Sequence, residues 1–303
     1  MPLKRSAGKW LLALGLLCAA DARAWEARVP DSSEAPLVAV DKSRQRLVLV
    51  SPGTPRDYVC STGCKPGDKR VRGDLKTPEG VYFMTGKRTS GLDFQEYGGI
   101  AYPLDYPNPV DRLRGKTGSG IWLHSRGRPV TPYESHGCVV VDLDDMSILS
   151  HRLKTGTPVI IAERLRTGNG GAALEAAGRV ERRTRGWYEA WRAGGSMEGY
   201  YAASASGRAL ATRLQREQEA FRNRPGKTDI GPVQVLEGPG YWVSWFSQRG
   251  TAPGGSAFSG IRRLYWQKGE DGVFRIVGAR GEPLRTRQNG CKAEKIFLLL
   301  EEV

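Results

Sequence analysis

The 303-residue chain contains only three histidines, and two of them, His124 and His136, share one short stretch with a cysteine, Cys138. The stretch runs from Ile121 to Val141 and reads IWLHSRGRPVTPYESHGCVVV. An imidazole beside a thiol makes a nucleophile. The base takes the proton, which lowers the effective pKa of the thiol from the ~8.5 of a free cysteine, and the thiolate attacks a carbonyl. Gly137 leaves the backbone before Cys138 free to turn and to approach a ligand closely. Two other readings compete. A free cysteine in apolar surroundings also packs as a small hydrophobe. His124, His136 and Cys138 are also zinc-ligand types, but no fourth ligand lies nearby and the spacing is not that of a metal site.

The flanking residues indicate how such a pair is held. Ile121-Trp122-Leu123 and Val139-Val140-Val141 are apolar runs, and Arg126, Gly127, Arg128, Pro129 and Pro132 fill the interval. This pattern predicts two buried strands joined by a polar connection, one ending on His124 and the other starting after Cys138. Upstream, residues 36–40 and 46–50 predict a hairpin continued by residues 56–62. A polar loop over 63–76 follows, then the turn Thr77-Pro78-Glu79-Gly80 and the strand Val81-Tyr82-Phe83-Met84. Downstream, Asp142 is placed to cap a helix whose first turn carries Asp144 and Asp145. Gly156 is placed to stop that helix, with His151 as a helix-end cation. Residues 158–162 close the unit as a strand.

After Arg166-Thr167-Gly168-Asn169-Gly170-Gly171, which reads as a linker, the pattern changes. Residues 172–192 carry Val180, Trp187, Tyr188 and Trp191 at helical spacing, and a second helix is predicted over about 206–222. Four strands follow, at 232–236, 241–248, 261–267 and 273–277. Helices followed by a curved antiparallel sheet make an α+β unit. The whole chain is thus α+β and β-rich, with room for two cores.

Residues 1–24 stand apart from the fold. Lys4, Arg5 and Lys9 precede an apolar run from Trp10 to Ala20, and Ala22-Arg23-Ala24 is a small-x-small cleavage site. That reads as a secretory signal peptide cleaved after Ala24, too short for a comfortable membrane span. The expected compartment is the periplasm. The chain carries 46 basic and 32 acidic residues, a net +14. Residues 1–24 hold four of the basic residues and one acid, so cleavage leaves +11. Such a charge favours anionic surfaces, a wall or membrane face among them, and equally describes a solvated basic surface. Nothing resembles a nucleic-acid module. Cys60, Cys64, Cys138 and Cys291 remain after cleavage. Four residues of straight strand span roughly 13 Å, beyond disulfide reach, so Cys60 and Cys64 pair only if Thr62-Gly63 turns sharply.

The His124 to Cys138 stretch, with its Ser135-His136-Gly137-Cys138 tetrad, resembles the signature of L,D-transpeptidases of the YkuD type. The run GDKRVRGDLKTPEG at 67–80 and the segment from Tyr102-Pro103 to Pro107-Asn108 resemble the same family, so the likeness covers most of residues 35–165. The resemblance implies a β-sandwich catalytic domain and cysteine acyl transfer on peptidoglycan stem peptides, with no cofactor. It implies Cys138 as nucleophile, His124 as base and the Ser125 carbonyl as the group orienting the imidazole. Backbone N–H groups around Ser135, His136, Gly137 and Cys138 are implied as the oxyanion and substrate-binding turn. Val140 departs from the Arg or Asn the family usually carries there. Residues 172–303 resemble the NTF2-like cone attached to a cell-shape-determining subset of these enzymes, the Csd6 group, through Trp187, Trp191, Tyr200, Tyr201 and Tyr265-Trp266. The aromatics read foremost as core lining and secondly as a ligand pocket. The implied activity is transpeptidation or carboxypeptidation at the bond between the L-centre of the third stem residue and D-alanine. A non-catalytic wall-binding module, or a hydrolase releasing a wall-attached protein, are the alternatives.

Overall fold

The computed structural model describes residues 24–168, 170–222, 228–251 and 257–283. Residues 1–23, with Cys18 and most of the expected signal segment, and Cys291 lie outside the described residues.

The chain begins with β1 (Glu26–Val29), β2 (Leu37–Asp41), β3 (Arg46–Val50), β4 (Arg56–Ser61) and β5 (Gly80–Phe83). Then come α1 (Phe94–Tyr97), β6 (Ala101–Pro103), α2 (Pro109–Leu113), β7 (Trp122–Ser125), β8 (Val139–Val141), α3 (Leu143–Ser150), β9 (Pro158–Ala162) and β10 (Arg164–Thr167). Eight of these strands form one curled sheet in the order β5-β9-β2-β3-β4-β8-β7-β6. The expected hairpin is β2–β3, paired antiparallel from Leu37↔Val50 to Asp41↔Arg46. The two strands expected around the His-Cys connection are β7 and β8, paired in parallel.

The second half comprises α4 (Gly171–Ala193), α5 (Ala205–Arg222), β11 (Thr228–Ile230), β12 (Gln234–Gly238), β13 (Tyr241–Thr251), β14 (Ala257–Lys268) and β15 (Phe274–Pro283). Its five strands form an antiparallel sheet in which β13 pairs with β11, β12 and β14, and β14 with β15. The helices cover one face of it. Val180, Trp187, Trp191, Leu210 and Leu214 meet Phe246, Leu264, Trp266 and Ile276 in a single core. Trp187, Trp191, Tyr265 and Trp266 are buried core residues, and Tyr200 and Tyr201 are half-buried against them.

Strand alternation explains why the central strands of the first sheet are apolar at every position. Side chains point alternately to the two faces, and a strand buried on both faces reads as a continuous hydrophobic run. Val38, Val40, Leu47, Leu49, Val159 and Ile161 face a core closed by Met146 and Leu149 of α3. Ala39, Val50, Val81, Phe83, Ile160 and Ala162 face the opposite way, into a core completed by Tyr241, Val243, Tyr265 and Val277 of the second sheet. The halves therefore share a core. Buried polar contacts fix their register: the Val81 N–H and the Asn108 side-chain amide both donate to the Tyr241 hydroxyl, at 2.9 and 3.0 Å. Asp105 accepts from the Phe83 N–H at 2.8 Å and pairs with Arg280 at 3.2 Å, while Arg263 grips Glu282 through both terminal nitrogens.

Several expectations are corrected. Short β1 pairs in parallel with β10, so Arg166 and Thr167 belong to a strand rather than to the linker. Asp142 stands at the N-cap of α3 but makes no capping bond there. Its carboxylate instead accepts from the Val130 N–H at 2.9 Å, tying down the His-Cys connection. α3 ends at Ser150 with His151 as C-cap, before Gly156 is reached. In the second sheet β12 is displaced two residues from the expected 232–236, the other three expected strands extend beyond their expected C-terminal limits, and β11 is an additional strand. Cys60 and Cys64 are separate free thiols, one buried and one exposed. No helix among the described residues is long and apolar enough to cross a membrane.

Candidate active site

β7 carries His124, and its parallel neighbour β8 begins directly after Cys138. In their parallel register Leu123 lies beside Val139 and His124 beside Val140. Leu123, Val139 and Val141 point into the core, so by alternation His124 and Val140 share the opposite face. Cys138 immediately precedes β8, and its thiol donates to the Gly120 carbonyl at 3.5 Å and lies against the Trp122 N–H.

His124 is 2 % exposed, and its Nδ1 lies 2.8 Å from the Ser125 carbonyl oxygen. A carbonyl can only accept, so Nδ1 carries the proton and Nε2 presents its lone pair. Burial lowers the imidazole pKa below its usual 6.5, against the Ser125 carbonyl and Glu96, which raise it, and with Arg126, which lowers it further. The apolar floor supplied by fully buried Val140, on the same face, adds to that desolvation.

Burial also raises the Cys138 thiol above its ordinary 9.0, despite the Trp122 N–H and the cations Arg126 and Lys69, which favour the thiolate. The direction is opposite to the depression expected from an adjacent imidazole. Both shifts favour the uncharged forms of the two side chains.

The turn that carries Cys138 is held from behind. Ser135 is fully buried, and its hydroxyl donates to the Cys138 carbonyl at 2.6 Å while accepting from the Gly137 N–H at 3.1 Å. The Gly137 amide is thus directed to Ser135 rather than free in the site. Gly137 has φ +127°, and a Cβ there would stand 2.8 Å from the Lys76 carbonyl oxygen. Only glycine lets the turn approach that backbone. Thr77, also fully buried, donates from Oγ1 to the Gly137 carbonyl at 3.0 Å and accepts from the Gly63 N–H at 2.8 Å. His136 is exposed. Among the described residues no group of three His, Cys, Asp or Glu side chains is arranged to hold a metal.

Two wall residues were missed by sequence reasoning. Tyr97, the last residue of α1, sets its ring 5.0 Å from both Trp122 and His124, centroid to centroid. α1 is capped at its start by Asp93, whose side chain accepts from the Glu96 N–H, and at its end by Gly98, φ +58°, where a Cβ would collide with Ser125 Oγ. Thr77 is the second. The loop before it is organised by Asp74: although partial burial opposes it, hydrogen bonds from Lys69 and from the Arg70, Val71 and Lys76 amides hold its carboxyl at about 2. A cysteine, a correctly presented imidazole and a rigid amide-bearing turn on one sheet face are the parts of a nucleophilic acyl-transfer site.

The fold recurs in solved structures. The chain is similar to Bd1075 of Bdellovibrio bacteriovorus, with a TM-score of 0.60 at 23% identity, over 84% of this chain and 94% of that one. It is also similar to a point variant of Pgp2, the helical cell shape determining protein of Campylobacter jejuni, with a TM-score of 0.57 at 21% identity, over 81% of this chain and 90% of that one. The unsubstituted Pgp2 gives 0.54 at 20% identity. At such identities the likeness is one of fold, and it spans both halves. No curated protein matches the chain. Residues 35–161, which contain the whole of the His124 to Cys138 stretch, match the YkuD family, the L,D-transpeptidase catalytic domain.

Proposed function

We propose that this protein is an exported cysteine acyl-transfer enzyme that modifies peptidoglycan, cutting the bond between the L-centre of the third stem residue and D-alanine. The observation that supports it most is His124 held by the Ser125 carbonyl on the same sheet face as the half-buried Cys138 thiol, within a segment matched by the L,D-transpeptidase catalytic domain.

In this reading His124 Nε2 takes the Cys138 proton as Sγ attacks the stem carbonyl. The His136 and Cys138 amides of the turn receive the oxyanion, since the Ser135 N–H donates to the Thr62 carbonyl and the Gly137 N–H to the Ser135 hydroxyl. D-Alanine leaves with the proton returned by His124, and a thioester remains on Cys138. An amine of a second stem then gives a cross-link, and water gives a tripeptide. Residues 35–165 would form the catalytic unit and 172–303 an NTF2-like accessory unit serving wall remodelling and cell shape. The Ala22-Arg23-Ala24 site would release the chain into the periplasm.

The test is mass spectrometry of disaccharide-tetrapeptides incubated with the protein beside a Cys138→Ala control. Cross-linked dimers establish a transpeptidase, and tripeptide with free D-alanine establishes a carboxypeptidase. Absence of any Cys138-dependent product rejects both and favours a wall-binding module or a protein substrate.

A further inference from the structure

The backbone nitrogen of Trp25, the residue after the proposed cleavage point, occupies a position built for a charge. It lies 3.1 Å from Oε2 of Glu79. Glu79 is 5 % exposed, and its other oxygen, Oε1, is 2.9 Å from Lys42 Nζ. Lys42 is buried too and divides its donors, since Nζ also donates to the Gly67 carbonyl at 2.7 Å and stands 3.8 Å from Glu163 Oε2. Two carboxylates therefore share one buried cation, and the free oxygen of Glu79 is aimed at the nitrogen that peptide-bond hydrolysis would turn into an ammonium.

That nitrogen is held in place. The Trp25 carbonyl accepts from the Arg164 N–H at 3.3 Å, and the next four residues form β1 against β10. Space exists on the outer side for the new terminus and for departure of the leader. Ala24 and Trp25 line a cavity of about 560 Å³ together with Asp68, Arg70, Lys76 and Arg114. The acid and two of the cations there have partners: Asp68 is held by Lys116 at 2.8 Å and lies 3.7 Å from Arg70, and Arg114 donates to the Pro239 carbonyl. Glu79 Oε2 is the acceptor facing Trp25.

We propose that cleavage after Ala24 creates an α-ammonium on Trp25 that seats on Glu79 as the second cation of the Lys42–Glu79–Glu163 cluster, completing the fold only in the processed protein. Water adds across the Ala24–Trp25 peptide bond in a leader-peptidase reaction. Ala24 leaves as a carboxylate and the Trp25 amine, with an ordinary α-amino pKa of about 7.7–8.0, takes a proton. A neutral amide hydrogen bond is thereby replaced by a charge-assisted one, roughly twice as strong. Glu79 belongs to the same tight turn as Thr77, whose hydroxyl grips the Gly137 carbonyl. The ammonium thus braces the wall behind Cys138. The inference rests on the export reading and not on which reaction Cys138 performs.

The experiment compares two full-length mature chains made from cleavable fusions, one starting at Trp25 with a free amine and one retaining Arg23-Ala24 ahead of it. At pH 6.5 the Trp25-start protein should melt about 3–6 °C higher, a difference of the size one strengthened buried ion contact gives in a chain this long. The ion pair raises the folded-state pKa of the amine, so the stabilisation is full below its unfolded value and disappears as pH rises through the folded one. The gap should therefore close by pH 10.5, and Glu79→Gln should abolish it. Equal melting temperatures at pH 6.5, or a gap that persists at pH 10.5, would overturn the proposal even if Glu79→Gln failed to fold. Mass spectrometry of the exported protein should find Trp25 first, and any other first residue also overturns it. None of these readouts depends on peptidoglycan turnover, so failure of the acyl-transfer reading leaves them interpretable.

Discussion

Replacing Thr77 by valine removes one hydroxyl and almost nothing else, because the two side chains have the same shape. Thr77 is fully buried, so the vacated space does not admit water. Two hydrogen bonds go with the hydroxyl: the one it donates to the Gly137 carbonyl and the one it accepts from the Gly63 N–H. Each partner is left facing a methyl group. A buried polar group stripped of its partner costs about 1–3 kcal/mol, and some relaxation of the loop offsets part of the sum. A total near 3 kcal/mol follows, which for a chain of this length lowers Tm by about 6–12 °C. Because Gly137 precedes Cys138, the loss should also appear locally, as a changed rate of Cys138 alkylation by iodoacetamide. Thr77→Ser, which keeps the hydroxyl, should stay within about 3 °C of the parent and keep its alkylation rate. Scanning calorimetry and timed mass spectrometry of the alkylated peptide read both effects. A Thr77→Val protein that melts within about 1 °C of the parent and alkylates at the parental rate would refute the idea that this hydroxyl supports the cysteine turn.

Two further predictions concern pH and the contact between the halves. His124 is lowered from 6.5 and Cys138 raised from 9.0, each first by burial; kcat/KM on a tetrapeptide substrate should therefore have its acid limb below pH 6.5 and its alkaline limb above pH 9. An acid limb at pH 7 or higher would contradict the buried neutral imidazole. The stability linked to His124 has the matching sign: it is fully present above pH 6.5 and lost as pH falls through the lowered folded value. Tyr241→Phe strands the Val81 N–H at the shared core and takes one partner from Asn108, and should cost about 2 kcal/mol, or about 4–8 °C in Tm. Cys138 alkylation should be unchanged, and a loss of reactivity without loss of stability would argue against this assignment.

Much of the first half was readable in the sequence because its strands are buried on both faces. Val38, Ala39 and Val40 need no periodicity to be recognised, and neither do Val139, Val140 and Val141. β1 and β10 escaped because EARV and RLRT are short and charged, the first exposed at alternate positions and the second at all but Leu165, and they pair only with each other. Asp142 shows the limit of local rules: the sequence places it at a helix start, and a loop amide twelve residues away takes its carboxylate instead. His124 and Cys138 were legible as residue types at a spacing. Tyr97 and Thr77 were not, because each acts through a contact with a distant segment. Thr77 lies 60 residues from Gly137, and nothing in Thr77-Pro78-Glu79-Gly80 beyond its turn-forming character announces what that turn touches.

The face of the first sheet formed by Ala39, Val81, Phe83, Ile160 and Ala162 has its water-excluding partner in Tyr241, Val243, Tyr265 and Val277. An excised fragment ending near residue 168 would leave that face wet, with several whole aliphatic side chains exposed at about 1.5–3 kcal/mol each. The two halves should consequently unfold in a single calorimetric transition, and two separate transitions would contradict the shared core. A second half exchanged for an unrelated module would have to supply a matching apolar surface in the same register.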